Sequence, residues 1–259
     1  MLLSGLKKRA SWVPDTAMVL AAGRGTRLAP LTDTTPKPLL RVGGAAILDR
    51  ILDKLVAVGV ERTVVNARHL ADRIEDHLAG RTTPGITVLR EDAVLETGGG
   101  VRNALPALGD RPFFVINGDS VWLDGLRDSL DRFAEVWDDE AMDILLLLYP
   151  FARVLGWHGY GDYTMDPLGR LTRRREGRVA PYAYMGVSII HPRVFGPTSD
   201  GSAPEGAFSL NRLYDRAEEA GRLHGALHDG LWYHISTPPD LERANQRFAT
   251  GHMPDVPFF

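Results

Sequence analysis

Cysteine is absent from this sequence of 259 residues, and its absence excludes several kinds of chemistry. Without cysteine the chain has no disulfide framework, no zinc site built on thiolates and no cysteine nucleophile. A cytoplasmic protein is the ordinary interpretation, although a chain without cysteine is compatible with other compartments.

Long apolar runs and a strong charge imbalance are also missing. The run at residues 144–148 is far too short to cross a bilayer and suits a buried strand. Lys7, Lys8 and Arg9 follow a short apolar stretch, whereas the basic residues of a signal peptide precede a longer one. Residues 1–16 are therefore interpreted as an N-terminal extension. The net charge of −3 indicates neither nucleic acid nor an anionic membrane as a general partner.

Two common phosphate-binding motifs do not occur. The P-loop pattern G-x-x-x-x-G-K-[ST] is not found, and the dinucleotide-binding pattern G-x-G-x-x-G fails because Leu28 stands at the position of its third glycine. The sequence therefore indicates neither a P-loop NTPase nor a dinucleotide-binding protein of the G-x-G-x-x-G type.

The chain does contain a glycine loop directly after its first predicted strand. Residues 17–20 form a short apolar run that is typical of a buried strand. Gly23 and Gly25 follow it, and because glycine has no Cβ, backbone N–H groups of such a loop can approach an anion closely. This arrangement predicts phosphate binding.

Positive charge is concentrated beside this loop. Arg24 and Arg27 lie within it, and Lys37 follows shortly after. Pro36 and Pro38 restrict the backbone on both sides of Lys37, which fixes the direction of its ammonium group. The alternative interpretation is a glycine- and proline-rich surface loop with incidental charges.

The combined pattern resembles the signature of the sugar-phosphate nucleotidyltransferases, G-x-G-x-R-(x)-x-P-x-T…P-K-P. The residues that carry the resemblance are Gly23, Gly25, Thr26, Arg27, Pro30, Leu31, Thr32, Pro36, Lys37 and Pro38. The similarity extends over roughly residues 17–245. It implies a Rossmann-like fold, and a nucleotide held by Leu20, Ala21, Ala22, Gly23, Gly25 and Thr26.

Strand and helix patterns alternate from residue 17 to about residue 150. Ile47, Ile51, Leu55 and Val58 recur at helical spacing, and Gly59 follows as a C-terminal cap. Further strands are predicted at residues 63–65, 86–89, 113–116 and 143–149, and further helices at residues 70–78 and 126–136. This alternation predicts an α/β fold with a mostly parallel, doubly wound sheet.

The second half of the chain loses the alternation. Residues 151–190 are rich in glycine, arginine and tyrosine and predict β-hairpins, with a strand at 187–190. A helix at 210–220, a strand within 226–235 and a helix capped by Thr237 follow. The predicted domain of residues 17–259 thus has a nucleotide-binding part at about 17–150, a sugar-binding hairpin part at about 151–235 and a C-terminal helix at about 238–248.

Asp119 follows the strand predicted at residues 113–116. Because the carboxyl ends of parallel strands share one edge of a sheet, Asp119 is expected beside the phosphate-binding loop. Mg²⁺ prefers one or two carboxylates together with phosphate oxygens and waters. The resemblance implies that Asp119 binds the catalytic metal, whereas taken alone it would suit a turn at the end of a strand.

Three consecutive glycines follow Glu96 and Thr97, directly before a predicted helix. In the resembling family this loop grips the nucleobase through backbone groups, so Gly98 and Gly99 are expected at the base; the alternative is a flexible entry to the helix. The string E-T-G-G-G is similar to the branch of the family that acts on N-acetylmuramate 1-phosphate and UTP. It argues against thymidine nucleotides.

A basic run comprises Arg170, Arg173, Arg174, Arg175 and Arg178. It suits a solvated hairpin face, or it contributes an arginine to the phosphate of a sugar 1-phosphate. Arg173 and Arg174, together with Gly186, are the candidates for that role. The E-K-P string with which many members of the family bind this phosphate is absent.

His234 is a departure from the family pattern. Residues 232–238 resemble the string W-x-D-V-G-T-P, but His234 replaces its metal-binding aspartate and Ser236 replaces its glycine. Imidazole is a poorer ligand for Mg²⁺ than a carboxylate is. Three possibilities stay open: Asp119 holds the metal with phosphate and water, His234 selects a softer ion such as Mn²⁺, or His234 only packs in a strand.

The resemblance implies that an oxygen of a sugar 1-phosphate attacks the α-phosphorus of a nucleoside triphosphate. Arg27 would hold the leaving β- and γ-phosphates, Lys37 would neutralise charge at the reaction centre, and Asp119 would fix Mg²⁺. The expected substrates are N-acetylmuramate 1-phosphate and UTP. The alternatives are another hexose 1-phosphate, with mannose 1-phosphate and GTP first, or a binding regulator. The sequence leaves the oligomeric state open.

Overall fold

The computed structural model describes residues 10–154, 159–197 and 204–252. The strands are β1 (Thr16–Leu20), β2 (Arg41–Val42), β3 (Ala45–Ala46), β4 (Arg62–Ala67), β5 (Gly85–Arg90), β6 (Phe113–Asn117), β7 (Val121–Leu123), β8 (Ile144–Pro150), β9 (Tyr163–Met165), β10 (Leu171–Arg173), β11 (Tyr182–Ile190), β12 (Leu223–Leu227) and β13 (Leu231–Tyr233). The helices are α1 (Leu31–Thr34), α2 (Ile47–Val58), α3 (Ala71–Leu78), α4 (Glu96–Leu108), α5 (Ser129–Val136), α6 (Asn211–Glu219) and α7 (Pro238–Ala249). Lys7, Lys8 and Arg9 lie outside the described residues, and Thr16 already belongs to β1.

The central sheet has the strand order β10-β9-β11-β6-β1-β4-β5, with β8 paired to β11 and β12 paired to β8. Neighbouring strands from β6 to β5 run parallel, as do β8 and β12, whereas β11 is antiparallel to β6, β8 and β9. The predicted α/β class with a mostly parallel sheet is confirmed.

Hydrophobic side chains cover both faces of this sheet. In β1, Ala17 and Val19 belong to one core and Met18 belongs to the other, because successive side chains of a strand point to opposite faces. The first core includes apolar residues of α2, α3 and α5, and the second includes those of α4 and α6. Helices on both faces make the sheet doubly wound, as the alternating pattern predicts.

The predicted helix ends are confirmed where a capping signal is present. Gly59 ends α2 with a φ of 95°, a left-handed conformation that glycine adopts without steric cost. Thr237 and Asp240 form a reciprocal capping box at the start of α7.

Three of the predicted boundaries are wrong. The helix expected at 126–136 begins at Ser129, because the carboxylate of Asp128 accepts hydrogen bonds from Leu130 N and Asp131 N and so caps it. Residues 226–235 hold the end of β12 and all of β13 rather than one strand. The glycines expected before a helix lie inside the first turns of α4.

Two short strands bring a distant segment to the end of β6. β7 follows Asp119 almost at once, and β13 pairs with it antiparallel, with Tyr233 opposite Val121. His234 therefore leaves the sheet beside the turn that contains Asp119. No helix among the described residues is both long enough and apolar enough to span a membrane.

Candidate active site

A cleft of about 530 Å³ opens at the carboxyl ends of β1, β4, β5 and β6. Its lining comes from every segment that follows one of these strands. It consists of residues 20–27, Lys37, Pro38, Asn66, Arg68, Glu91, residues 94–97, residues 117–119 and Ser236. Leu20, Ala21, Ala22, Gly23, Gly25, Thr26, Arg27, Lys37 and Asp119, which the sequence indicates, thus share one cavity.

The glycine loop is folded tightly against the segment that carries Lys37. Gly25 has a φ of 63°, and a Cβ at this position would lie 3.1 Å from both Lys37 Cβ and Thr32 Cγ2. Thr32 Oγ1 donates a hydrogen bond of 3.0 Å to the carbonyl oxygen of Gly25. Glycine is required here because the backbone is left-handed and the neighbouring side chains are close.

Lys37 and Asp119 form an ion pair at the floor of the cleft. Lys37 Nζ lies 2.5 Å from Asp119 Oδ2, although the two residues are 82 positions apart in the chain. The lysine side chain is 12% exposed and the aspartate side chain 40% exposed. The aspartate therefore faces solvent in the cleft, where a cation or a phosphate group can reach it.

Gly118 allows the turn before Asp119 to approach β1. Its N–H donates a hydrogen bond of 2.9 Å to the carbonyl oxygen of Leu20. A Cβ at Gly118 would lie only 2.7 Å from that oxygen, closer than any real side chain could approach. The short turn thus holds Asp119 against the start of the glycine loop.

His234 lies next to this ion pair but does not line the cleft. Burial lowers the pKa of His234, the nearby charges of Lys37 and Arg27 lower it further, and Asp119 opposes the shift. The imidazole is therefore neutral at pH 7, the form in which histidine can bind a metal. It lines a small neighbouring cavity together with Asp240 and Arg243.

The described part of the chain contains no group of three or more histidine, aspartate and glutamate side chains that could enclose a metal ion. Mg²⁺ usually keeps several waters and binds through one or two carboxylates plus substrate phosphates. The partly exposed carboxylate of Asp119, which lines the cleft, fits that manner of binding. It does not fit a cation held by protein ligands alone.

Gly98 and Gly99 do not line the cleft, and their expected contact with the base stays a prediction. Both N–H groups donate to the carbonyl oxygen of Phe208, at 2.8 and 3.1 Å. A Cβ on Gly98 would lie 2.3 Å from the Phe208 ring, and one on Gly99 would lie 2.3 Å from the carbonyl oxygen of Gly206. Because these positions are glycines, the segment 206–208 can pack against α4. Residues 94–97, which precede the glycines, line the cleft.

Arg173 and Arg174 do not line the cleft either; Arg173 pairs with a residue of α6, and Arg174 has its partners within the hairpin region. Arg173 Nη1 contacts both carboxylate oxygens of Asp215, at 2.6 and 2.9 Å. Arg174 Nε donates to the carbonyl oxygen of Gly161, and its guanidinium lies over the ring of Tyr160. In this conformation both arginines stabilise the hairpin, and the structure gives no support to their expected place at the sugar phosphate.

Gly186 lies next to the turn that carries Asp119. Its φ is 75°, at an irregularity in the pairing of β11 with β8. A Cβ here would lie 2.6 Å from both Asn117 Nδ2 and Ser120 Oγ. Gly186 therefore lets β11 approach the end of β6, beside the turn that contains Asp119.

Three further polar residues line the cleft although no sequence motif indicates them. Asn66 is the last residue but one of β4, Arg68 comes directly after that strand, and Glu91 comes directly after β5. Among the described residues the Nε atom of Arg68 is buried without a hydrogen-bond partner. Their position after parallel strands is the signal that could have identified them, because ligands bind at that edge of such sheets.

Residues 17–226 match the family model described as the MobA-like NTP transferase domain. The chain belongs to this family.

Two relatives cover nearly the full length of the transferase. An N-acetylmuramate alpha-1-phosphate uridylyltransferase from Caulobacter vibrioides is 42% identical, over 92% of this chain and 99% of the relative. A protein with the same name from Neisseria meningitidis serogroup B is 32% identical, over 88% of this chain and 96% of the relative. The transferase is thus an enzyme of the sugar-phosphate nucleotidyltransferase group, as the motifs imply.

The fold of the transferase also occurs among solved structures. The inositol-1-phosphate CTP transferase from T. maritima has a TM-score of 0.73 and 20% identity, covering 93% of this chain and 99% of that one. At this level of identity the likeness concerns the fold alone, and it supports the Rossmann-like architecture.

Proposed function

We propose that the transferase joins N-acetylmuramate 1-phosphate to UTP and releases UDP-N-acetylmuramate and pyrophosphate. The observation that carries the proposal is the 42% identity to a uridylyltransferase of that specificity over almost the full length of both chains. The cleft supports it, because its walls combine backbone groups of a glycine loop with the charges of Arg24, Arg27 and Lys37.

In the proposed reaction a phosphate oxygen of the sugar 1-phosphate attacks the α-phosphorus of UTP. A new P–O bond forms, the bond between the α-phosphorus and the bridging oxygen breaks, and pyrophosphate leaves with that electron pair. No covalent intermediate on the protein is needed. Alignment and neutralisation of charge supply the rate enhancement.

Each charged residue has a separate proposed role in that step. Arg27, in the glycine loop, would hold the leaving β- and γ-phosphates. Lys37, which lines the cleft beside Asp119, would neutralise charge at the α-phosphate once a bound cation takes up the carboxylate of Asp119. Gly186, which brings β11 against the turn after β6, would place the hairpin region beside the sugar phosphate.

We propose Mg²⁺ as the cofactor, with Asp119 as its ligand from the protein. A bound divalent cation would neutralise phosphate charge and orient the triphosphate. The partly exposed carboxylate of Asp119 suits this role, and the neutral imidazole of His234 could complete the site with a nitrogen ligand or admit Mn²⁺. Both substrates are small phosphorylated molecules, and we place the reaction in the cytoplasm.

A substrate panel tests the proposal. UTP, dTTP, GTP, CTP and ATP are each combined with N-acetylmuramate 1-phosphate, mannose 1-phosphate and glucose 1-phosphate, and the release of pyrophosphate is measured. The expected result is the highest kcat/KM for UTP with N-acetylmuramate 1-phosphate. A preference for GTP with mannose 1-phosphate would overturn the assignment and leave the nucleotidyltransferase class intact.

A further inference from the structure

A hydrogen-bonded bridge connects the ends of β1, β4 and β5 in the wall of the cleft. Asn66 Oδ1 accepts a hydrogen bond of 2.7 Å from the N–H of Ala21. Asn66 Nδ2 donates one of 2.7 Å to Glu91 Oε1. The asparagine is 3% exposed, and both of its partners line the cleft.

The bridge begins where the regular pairing of the sheet ends. The register pairs Asn66 with Leu20, the last residue of β1. At the next position the N–H of Ala21 bonds to the side chain of Asn66 instead of a strand backbone. The asparagine thus determines how the chain leaves the sheet and enters the glycine loop.

The second partner of Asn66 is a buried carboxylate. Glu91 is 8% exposed, burial raises its pKa, and the hydrogen bond from Asn66 and the charge of Arg68 oppose that shift. Asn66 Nδ2 is bonded to Oε1 of Glu91, and Glu91 lines the cleft. Gly100 of α4 makes room for the pair, because a Cβ there would lie 2.9 Å from both Asn66 Nδ2 and Glu91 Oε1.

We propose that Asn66 is a positioning residue for nucleotide binding, which holds the backbone of Ala21 and the carboxylate of Glu91 in one fixed arrangement. This inference rests on the proposed nucleotidyltransferase function. Asn66 is expected to act through these two partners. A carboxylate held in this way accepts hydrogen bonds from N–H groups of a ligand, which suits a base that presents an imide N–H.

The test first removes the N–H donor at position 66 and then restores a hydrogen bond between positions 66 and 91 in a double variant. Asn66→Asp keeps an acceptor for the N–H of Ala21 but sets two carboxylates against each other. Two carboxyl groups in contact share a proton at low pH and repel when both are ionised. The double variant Asn66→Asp/Glu91→Gln re-forms the hydrogen bond with reversed polarity, because the new amide donates to the new carboxylate. It also leaves an oxygen acceptor at position 91.

Steady-state kinetics is measured with whichever nucleotide the wild-type protein prefers in the panel, so a wrong base assignment changes only the probe. The Asn66→Asp variant is expected to raise KM for the nucleotide about tenfold or more at pH 8, since a buried hydrogen bond to a charged group is lost. KM for the sugar phosphate should change less than about twofold. The nucleotide KM should approach the wild-type value as pH falls toward 6, and in the double variant at pH 8.

Asn245 provides a matched control. Its side chain also links two segments, accepting from Gly43 N at 2.9 Å and donating to Arg41 O at 3.1 Å, and it does not line the cleft. Asn245→Asp should leave both KM values unchanged. An unchanged nucleotide KM in folded Asn66→Asp protein would overturn the proposal. An equal rise of both KM values that the double variant does not reverse would also overturn it, by showing a general structural role.

Discussion

Lys37 and Asp119 meet at 2.5 Å in the floor of the cleft, across 82 residues of sequence. One follows the glycine loop after β1, and the other follows the neighbouring strand β6. The pair places a cation and an anion side by side where phosphate groups and a divalent ion would meet.

Lys37→Ala should lower kcat by about two to three orders of magnitude, the usual effect of removing a group that stabilises developing charge. The fold should be retained, because Asp119 is partly exposed and water can solvate it once the lysine is gone. Steady-state pyrophosphate release and thermal unfolding are measured together.

The ion pair of Lys54 and Asp124 is the matched control for this experiment. It has a length of 2.6 Å and a similar lysine exposure of 19%, but it does not line the cleft. Lys54→Ala should leave kcat unchanged. Equal losses of activity in both variants, or normal turnover by folded Lys37→Ala protein, would rule out a catalytic role for Lys37.

His234→Asp should lower the Mg²⁺ concentration that gives half-maximal activity. The change supplies a second carboxylate beside Asp119, and hard cations prefer oxygen ligands. The titration is carried out with Mg²⁺ and Mn²⁺ side by side, and His234→Asn controls for loss of the imidazole alone. If His234 only packs, the half-buried carboxylate should instead lower Tm without improving Mg²⁺ affinity, and His234 would leave the site.

Gly99→Ala should destabilise the protein by about 1–3 kcal/mol, as overpacked sites do, because the new Cβ would lie 2.3 Å from the carbonyl oxygen of Gly206. Gly80→Ala is the control, since no atom lies within 4 Å of its added Cβ. Urea unfolding gives both free energies of unfolding. Normal stability of Gly99→Ala combined with weaker nucleotide binding would instead support the predicted base-binding role of Gly99.

Stability should fall as pH drops below about 6.5, the pKa of histidine in an unfolded chain. Burial lowers the pKa of His228 in the folded state, so between the two values the unfolded chain binds more protons and the free energy of unfolding rises with pH. His228 Nε2 lies 3.1 Å from the carbonyl oxygen of Leu123, which the neutral ring satisfies as a donor.

His228→Gln should therefore reduce the slope of stability against pH below about pH 6.5, by up to about 1.4 kcal/mol per pH unit. Urea unfolding at several pH values measures it. A remaining slope is expected from the other histidines whose pKa burial lowers, which are His191, His224 and His234. An identical slope in both proteins would show that His228 is not held neutral.

The sequence was sufficient to predict the fold and the floor of the cleft. Strand and helix periodicities predicted the doubly wound sheet, and the rule that ligands bind at the carboxyl ends of parallel strands placed Lys37 near Asp119. Strong local signals, such as the glycine cap of α2 and the capping box of α7, also fixed helix ends to within a residue.

Other features depended on residues that are distant in sequence. Arg173 pairs with Asp215, which is 42 positions away, so its sequence neighbours give no sign that the charge is already satisfied. Gly98 and Gly99 have the composition of a ligand-binding loop, yet the close neighbour is the segment 206–208. Asn66 resembles any polar residue at a strand end until its two partners are seen.

The most direct test of the central claim is analysis of the products formed by the purified protein with UTP, N-acetylmuramate 1-phosphate and Mg²⁺. Mass spectrometry and pyrophosphate release should show UDP-N-acetylmuramate and pyrophosphate in equal amounts. The Asp119→Asn variant should form them slowly and require more Mg²⁺, because it removes the charge that would hold the cation. Absence of UDP-N-acetylmuramate with the folded wild-type protein, while another nucleotide and sugar phosphate are converted efficiently, would contradict the proposed substrates.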